Sequence, residues 1–255
     1  MRCHVGSQWH ATGPTDGTLG RVCESGRMDF SGFRLLAAGS DLSMEPTARA
    51  DADGIELRMD LADDPLAQLA EYDGALPLLV TNRVDWEGGE AGDTADRLDA
   101  LETAVEYDSV TAVDLELAAL EGTGDHDAGR VADHARDHGT AVVVSTHDFE
   151  ATPERRGVAD RLARACEHGD VGKMATTAHS PDDVLAMLGA TRDLTADGET
   201  VATMCMGEAG RHSRAVAPLY GSRIGYAPVD PDAATAPGQY DLATLRSLVE
   251  QLRSE

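Results

Sequence analysis

Short apolar runs recur along the chain at Phe33–Ala38, Gly54–Met59, Leu76–Thr81, Ser109–Leu115, Ala141–Thr146, Val171–Thr176, Thr200–Met206 and Ser222–Ala227. Each is too short for a buried helix and has the length of a strand covered on both faces. Helical spacing fills the intervals. Thr94–Tyr107 puts Ala95, Leu98, Leu101 and Val105 on one face. Thr152-Pro153 predicts a cap followed by proline in the first turn. Ser180-Pro-Asp-Asp183 is a capping-box pattern that opens a helix through Val184 and Leu188. Asp241–Leu252 spaces Leu242, Leu245, Leu248 and Val249 for one face. Eight strands alternating with helices predict an α/β fold, a (β/α)8 TIM barrel. An open doubly wound sheet is the competing arrangement, weakened because no glycine-rich dinucleotide loop follows the first strand.

Residues 1–27 carry no such period and are rich in Gly, Ser, Thr and His. They read as a disordered leader, either a flexible tail or an upstream extension before a start at Met28, with residues 28–255 as a single barrel domain. They contain no apolar signal-peptide core, and no run in the chain approaches a membrane span, so a cytoplasmic protein is expected.

Charge narrows the partners. Asp and Glu number 46 against 21 Lys and Arg, a formal net charge of −25. Such a surface repels phosphate backbones and anionic lipids, so neither nucleic acid nor membrane is an expected partner. The acids are dispersed rather than gathered in a tail, which together with scarce lysine predicts a halophilic protein working in high salt, where self-repulsion is screened. A GC-rich genome is the competing cause. Cys3, Cys23, Cys166 and Cys205 form no CxxC pair, so neither zinc nor a disulfide framework is signalled.

Of the 21 basic residues only Lys173 is lysine. Arginine replaces lysine as a charge but not as a carbonyl nucleophile, so the surviving amine is a candidate Schiff-base residue. A chance survivor in a lysine-poor chain is the bland alternative. In a barrel the chemistry sits at the strand C-termini. Polar residues fall there: Glu56, Arg58 and Asp60 on one face of strand two, Arg83 and Glu87 after strand three, Asp114 and Glu116 on strand four, His147 on strand five. A charged stripe facing the interior needs pairing or a ligand, whereas an outward stripe needs neither. Burial and neighbouring cations would move the Lys173 amine toward neutrality, and His147 is suited to shuttling protons. Gly172-Lys173 is not a phosphate loop, since Glu167 and Met174 stand where that motif needs Gly and Ser or Thr. His134 and His138 are four apart on a helix, but with no evident third ligand they read as an exposed face rather than a metal site.

These residues together resemble the type I 3-dehydroquinate dehydratase family over about residues 34–252. The matching motifs are Glu56-Leu-Arg58-Met-Asp60, Arg83-Val-Asp-Trp-Glu87-Gly-Gly, Ser145-Thr-His147-Asp-Phe-Glu-Ala-Thr-Pro153, Lys173 with Ser180-Pro-Asp-Asp183-Val-Leu, Met206-Gly-Glu-Ala-Gly210-Arg-His-Ser213-Arg214, and Ala236-Pro-Gly-Gln239. The resemblance implies a homodimeric barrel with no cofactor and no metal, acting on 3-dehydroquinate in the shikimate pathway. It implies that Lys173 forms the imine, His147 moves protons and Glu87 orients His147. It further implies that Arg214 binds the substrate carboxylate and that Glu56, Arg58, Arg83 and Gln239 contact the rest. The segment from Ala227 to Gln239 would close as a lid, with Thr235 standing where the family usually has serine. Leu57 replaces the family's aromatic. A class I Schiff-base aldolase and a non-catalytic binding barrel are the alternatives; the first lacks a recognisable phosphate pocket, and the second would more readily have lost Lys173 or His147.

Overall fold

The computed structural model describes residues 28–233 and 235–253. The expected leader, residues 1–27, lies outside them. Among the described residues eight parallel strands form one sheet: β1 Arg34–Gly39, β2 Gly54–Arg58, β3 Leu78–Thr81, β4 Val110–Glu116, β5 Ala141–Asp148, β6 Val171–Thr177, β7 Val201–Met206 and β8 Ile224–Ala227. The order runs β7-β6-β5-β4-β3-β2-β1-β8. The last seam is joined by the Arg223 N–H, which donates to Val201 O at 2.8 Å, and by Ser222 Oγ, which accepts from the Thr203 N–H at 2.9 Å. Each strand is followed by a helix: α1 Glu45–Ala48, α2 Pro65–Glu71, α3 Ala95–Val105, α4 Gly129–Asp137, α5 Arg155–His168, α6 Pro181–Ala196, α7 Ser213–Tyr220 and α8 Leu242–Arg253. This is the predicted (β/α)8 barrel. No helix of the described residues is long and apolar enough to cross a membrane.

The core has two layers, as a closed sheet requires. Leu36, Leu79, Val143, Val171 and Ile224 point into the barrel, with Met28 and Phe30 packed into the same cluster. Leu35, Ile55, Leu57, Val80, Leu115 and Val142 point outward against helix residues such as Leu98, Leu101 and Leu245. The two-residue period of a strand sorts these sets. Because both faces are buried, the strands read as continuous apolar runs, and the sequence pattern locates all eight.

Edges differ by small, physical amounts. β3 begins at Leu78 rather than Leu76 because Pro77 has no N–H for the ladder; its carbonyl still accepts from the Ile55 N–H at 3.0 Å. The Thr152 cap is corrected: α5 begins at Arg155 with no side-chain cap, and Thr152 Oγ1 instead bonds Thr176 Oγ1 at 2.7 Å and Thr177 O at 2.9 Å, tying the β5 loop to β6. Ala95 is also corrected. It is exposed, and Ala104 takes its place on the buried face of α3 with Leu98, Leu101 and Val105. The Ser180–Asp183 capping box opens α6 as expected.

Candidate active site

Along the inward faces of β4, β5 and β6 an apolar residue at the base gives way to polar ones above it. On β4 the series is Ala112, Asp114, Glu116; on β5 it is Val143, Ser145, His147; on β6 it is Val171, Lys173, Ala175. Register sets their heights. Ser145 is level with both Glu116 and Lys173, while His147 is level with Ala175, so Lys173 sits one layer below His147. Its long stem reaches the cavity from inside the barrel.

A cavity of about 570 Å³, counted to its open mouth, is lined by Glu56, Arg58, Arg83, Glu87, His147, Lys173, Arg214, Thr235 and Gln239, together with Thr81, Phe149, Met204, Met206 and Tyr226. All nine residues to which the family resemblance gave a place in the site are therefore brought to one cavity. Asp60 is not among them. It lies in the turn after β2 and accepts both Arg58 Nε at 2.8 Å and Arg58 Nη2 at 2.6 Å. The charged stripe of strand two is thus paired internally.

The cations differ in whether the protein already answers them. Arg83 Nη2 donates to Asp114 Oδ1 at 2.7 Å, and Nη1 lies 3.0 Å from Glu116 Oε1. Lys173 Nζ donates to Asp114 Oδ2 at 2.9 Å, lies 3.8 Å from Glu56 Oε1, and sits 4.4 Å above the centre of the Tyr226 ring. Burial and a neighbouring cation were expected around Lys173: it is buried, and Arg83 sits on the other oxygen of Asp114, but its nearest charged partners are carboxylates. Arg214 is buried and has no ion pair among the described residues; Nη2 reaches only Pro237 O at 3.3 Å, and Nε has no partner. Burial alone pulls its guanidinium down to about 10. A buried cation left unanswered and aimed at a cavity is suited to an anionic ligand.

The acid–base groups carry large environmental shifts. Glu87 Oε1 accepts the His147 backbone N–H at 2.7 Å and stands 3.2 Å from His147 Nδ1, while Glu87 Oε2 is buried without a partner. Burial pushes the Glu87 carboxyl up to about 7; Arg83 and the backbone hydrogen bond oppose this, and Glu116 and Asp114 reinforce it. Burial, then the charges of Arg83 and Lys173, hold the His147 imidazole well below its ordinary range, against the pull of Asp114. A neutral His147 that donates from Nδ1 to Glu87 keeps the lone pair on Nε2 and is a base. Burial works against ionisation of Asp114, but Arg83, Lys173 and Ser145 outweigh it and hold this carboxyl well below the usual range.

Two glycines make the Glu87 turn possible. Gly88 adopts φ +79°, the left-handed region, and a Cβ there would meet the Phe149 ring at 2.3 Å. A Cβ on Gly89 would lie 2.0 Å from Arg83 O. A side chain at Gly89 would press on the Arg83 backbone, and one at Gly88 would strain a left-handed backbone beside Phe149.

Over the mouth lies the segment after β8. Gln239 Oε1 accepts the backbone N–H groups of Thr235 at 2.9 Å and Ala236 at 3.2 Å, so Gln239 shapes this segment as well as lining the cavity. Two site residues were given no role from the sequence. Asp114 appeared only as a charge in an apolar strand, and its position between Arg83, Lys173 and Ser145 was the missing information. Tyr226 has no motif; alternation from Ile224 on β8 is its only signal.

The chain was compared with known proteins. A family model described as type I 3-dehydroquinase matches residues 40–255. A 3-dehydroquinate dehydratase of Haloarcula marismortui is 78% identical over 89% of this chain and 100% of that protein. One from Halobacterium salinarum is 50% identical, again over 89% of this chain and 100% of that protein. The crystal structure of 3-dehydroquinate dehydratase from Geobacillus kaustophilus superposes with a TM-score of 0.75 at 26% identity, covering 88% of this chain and 93% of that one.

Proposed function

We propose a Schiff-base mechanism for this chain, which belongs to the type I 3-dehydroquinase family and catalyses the dehydration of 3-dehydroquinate to 3-dehydroshikimate. The enzyme is a hydro-lyase of the shikimate pathway, and its acid-rich composition accords with its halophilic relatives. The observation that carries the mechanism is that the chain's sole lysine is buried in the same cavity as a neutral histidine and an unanswered arginine.

Arg214 takes the substrate carboxylate as a charge-assisted pair. Lys173 gives up a proton and its Nζ attacks the C3 ketone. The carbinolamine then loses water to leave a protonated imine, which withdraws electrons from C2 more strongly than the ketone did. His147 Nε2 takes the C2 proton, and Glu87, bonded to Nδ1, holds the resulting imidazolium. The C1 hydroxyl leaves as water with the proton returned through His147. Water hydrolyses the imine, and 3-dehydroshikimate departs with Lys173 restored. Glu56, Arg58, Arg83, Thr235 and Gln239 fix the ring and its hydroxyls, and the segment ending at Gln239 closes over them. No metal or organic cofactor enters this cycle. A homodimer in the cytoplasm belongs to the same reading, and sedimentation in molar salt tests the dimer.

Borohydride added with substrate tests the mechanism. It should reduce the imine and add one ligand mass per chain, and the Nζ of Lys173 and the N-terminal amine are the primary amines that can carry it. Peptide mapping separates the two. Lys173→Arg should lose both adduct and turnover while keeping charge. An adduct confined to the N-terminus, or an active Lys173→Arg, would overturn the Schiff base.

A further inference from the structure

At the N-terminal end of the barrel, opposite the cavity, α3 and α4 lie side by side with complementary ridges. α3 and its cap present Asp99, Glu102 and Glu106; α4 and its cap present Arg130, His134 and His138. The first rung is an ordinary ion-pair staple, Arg130 reaching Asp99 and Glu102 at 2.5 Å each. The last rung is built differently. His134 Nε2 is buried and has no hydrogen-bond partner, and it faces Glu106 Oε1 at 3.5 Å. Two ligand atoms of a tetrahedral zinc stand about 3.3 Å apart when each bond is roughly 2.0–2.1 Å. The imidazoles of His134 and His138 lie with ring centres 4.2 Å apart. One nitrogen from each ring and one oxygen of Glu106 fall within 4.8 Å of one another.

The tautomer follows from the hydrogen bonding. His138 Nδ1 is 2.9 Å from His134 O. A carbonyl only accepts, so Nδ1 carries the proton and the neutral ring keeps its lone pair on Nε2. That is how a metal-ligating imidazole is held when its other nitrogen donates to a carbonyl. Glu106 and His138 are the C-cap residues of their helices, so the negative ends of two helix dipoles lie beside this cluster.

We propose that Glu106, His134 and His138 form a second, non-catalytic site for a borderline divalent transition metal. Zn²⁺ is the natural occupant, with water completing a tetrahedral set. The ion joins α3 to α4 and leaves the chemistry at the other end of the barrel untouched. In the sequence the two histidines lacked a third ligand; the fold supplies it from the neighbouring helix.

The test uses chelator-washed full-length protein in potassium chloride, titrated with ZnCl₂ and, separately, MgCl₂ by calorimetry. Zn²⁺ should bind in a saturable step of one per chain and raise Tm. The double variant His134→Ala/His138→Ala should lose that step, and Glu106→Gln should weaken it roughly 10- to 100-fold, the range seen when even an outer-shell partner is removed. Metal-free turnover of all three proteins should agree, which reports that the variants fold. Mg²⁺, which prefers oxygen ligands, should give only the diffuse binding expected of a highly acidic surface. Absence of a saturable Zn²⁺ step in the native chain would reduce the rung to an ion-pair ladder and overturn the site. Retention of that step in the double variant would place the metal elsewhere and overturn it equally.

Discussion

Glu87 gives the sharpest quantitative test, because the same burial that tunes it must cost stability. Its carboxyl rises from an ordinary 4.5 to about 7 in the folded chain. Between those values the folded protein holds a proton that the unfolded chain has released. Stability therefore falls as pH rises across this window and is level above it. At about 1.4 kcal/mol per pH unit the decline amounts to about 3 kcal/mol for a group that is 6% exposed. Glu87→Gln cannot ionise and should lack the decline. Its amide keeps an acceptor for His147 but places a donor where Glu87 Oε2 already has no partner. That penalty does not depend on pH, so comparing pH 5 with pH 8 in each protein cancels it. Urea unfolding in molar salt at both pH values, for native and variant protein, gives the four free energies needed. The native protein should lose stability on going to pH 8 relative to the variant. His147 contributes with the opposite sign, since a group buried neutral gains stability as the unfolded histidine deprotonates, and this contribution is present in both proteins. Equal pH dependence in native and variant protein would show that Glu87 is not held protonated by its burial. The variant should also turn over slowly and lose the acid limb of its pH–rate profile near 7.

Arg214→Met should lower kcat/KM about 10- to 100-fold, the worth of a charge-assisted hydrogen bond of roughly 1.5–3 kcal/mol, without lowering Tm, because it removes a buried charge that has no internal partner; a large loss of Tm would mean that the folded state relies on that charge. Asp114→Asn should cost about 3–5 kcal/mol in urea unfolding, since Arg83 and Lys173 are left buried beside a neutral group; a loss under 1 kcal/mol would place the pair in solvent-like surroundings. Tm should climb between low and molar salt, because a net charge of −25 repels itself most when screening is weakest; a flat curve would remove self-repulsion from the account.

The fold was legible because a parallel barrel strand is apolar on both faces and each strand is separated from the next by a helix. The strand edges were not, because they depend on particular backbone groups: Pro77 has no donor, and Ser222 supplies a side-chain oxygen in place of a ladder bond. Helix faces were legible where apolar spacing was unbroken, as with Leu242, Leu245 and Val249, and failed at Ala95, whose small side chain carries little weight in deciding burial. The cavity residues were legible as motifs. Their pairing was not. Nothing in Glu56-Leu-Arg58-Met-Asp60 states that Asp60 folds back onto Arg58, and the partners of Asp114 come from the loop after β3, from β5 and from β6, up to 59 residues away. Glu106 is the same case at the opposite end of the barrel.

In the Schiff-base mechanism we propose, the pairing lets an amine held by a carboxylate serve as a nucleophile. Asp114 meets positive charge on the Lys173 nitrogen in the ammonium state and meets it again in the protonated imine. The carboxylate therefore keeps its partner on both sides of the attack and favours the charged imine over the neutral carbinolamine between them. In that mechanism the proton leaving Nζ passes to His147, which starts neutral because burial, Arg83 and Lys173 disfavour its charge. Once Nζ is neutral, one of those disfavouring charges is gone, and His147 accepts a proton more readily than before. When the imine forms, a positive charge returns to the nitrogen and makes the imidazolium more acidic as it hands its proton to the departing hydroxyl. On this proposal Lys173 and His147 alternate charge across a shared cavity. Asp114 pairs with the first and Glu87 with the second, and the proposal gives the substrate carboxylate to Arg214, a buried cation without an ion pair among the described residues.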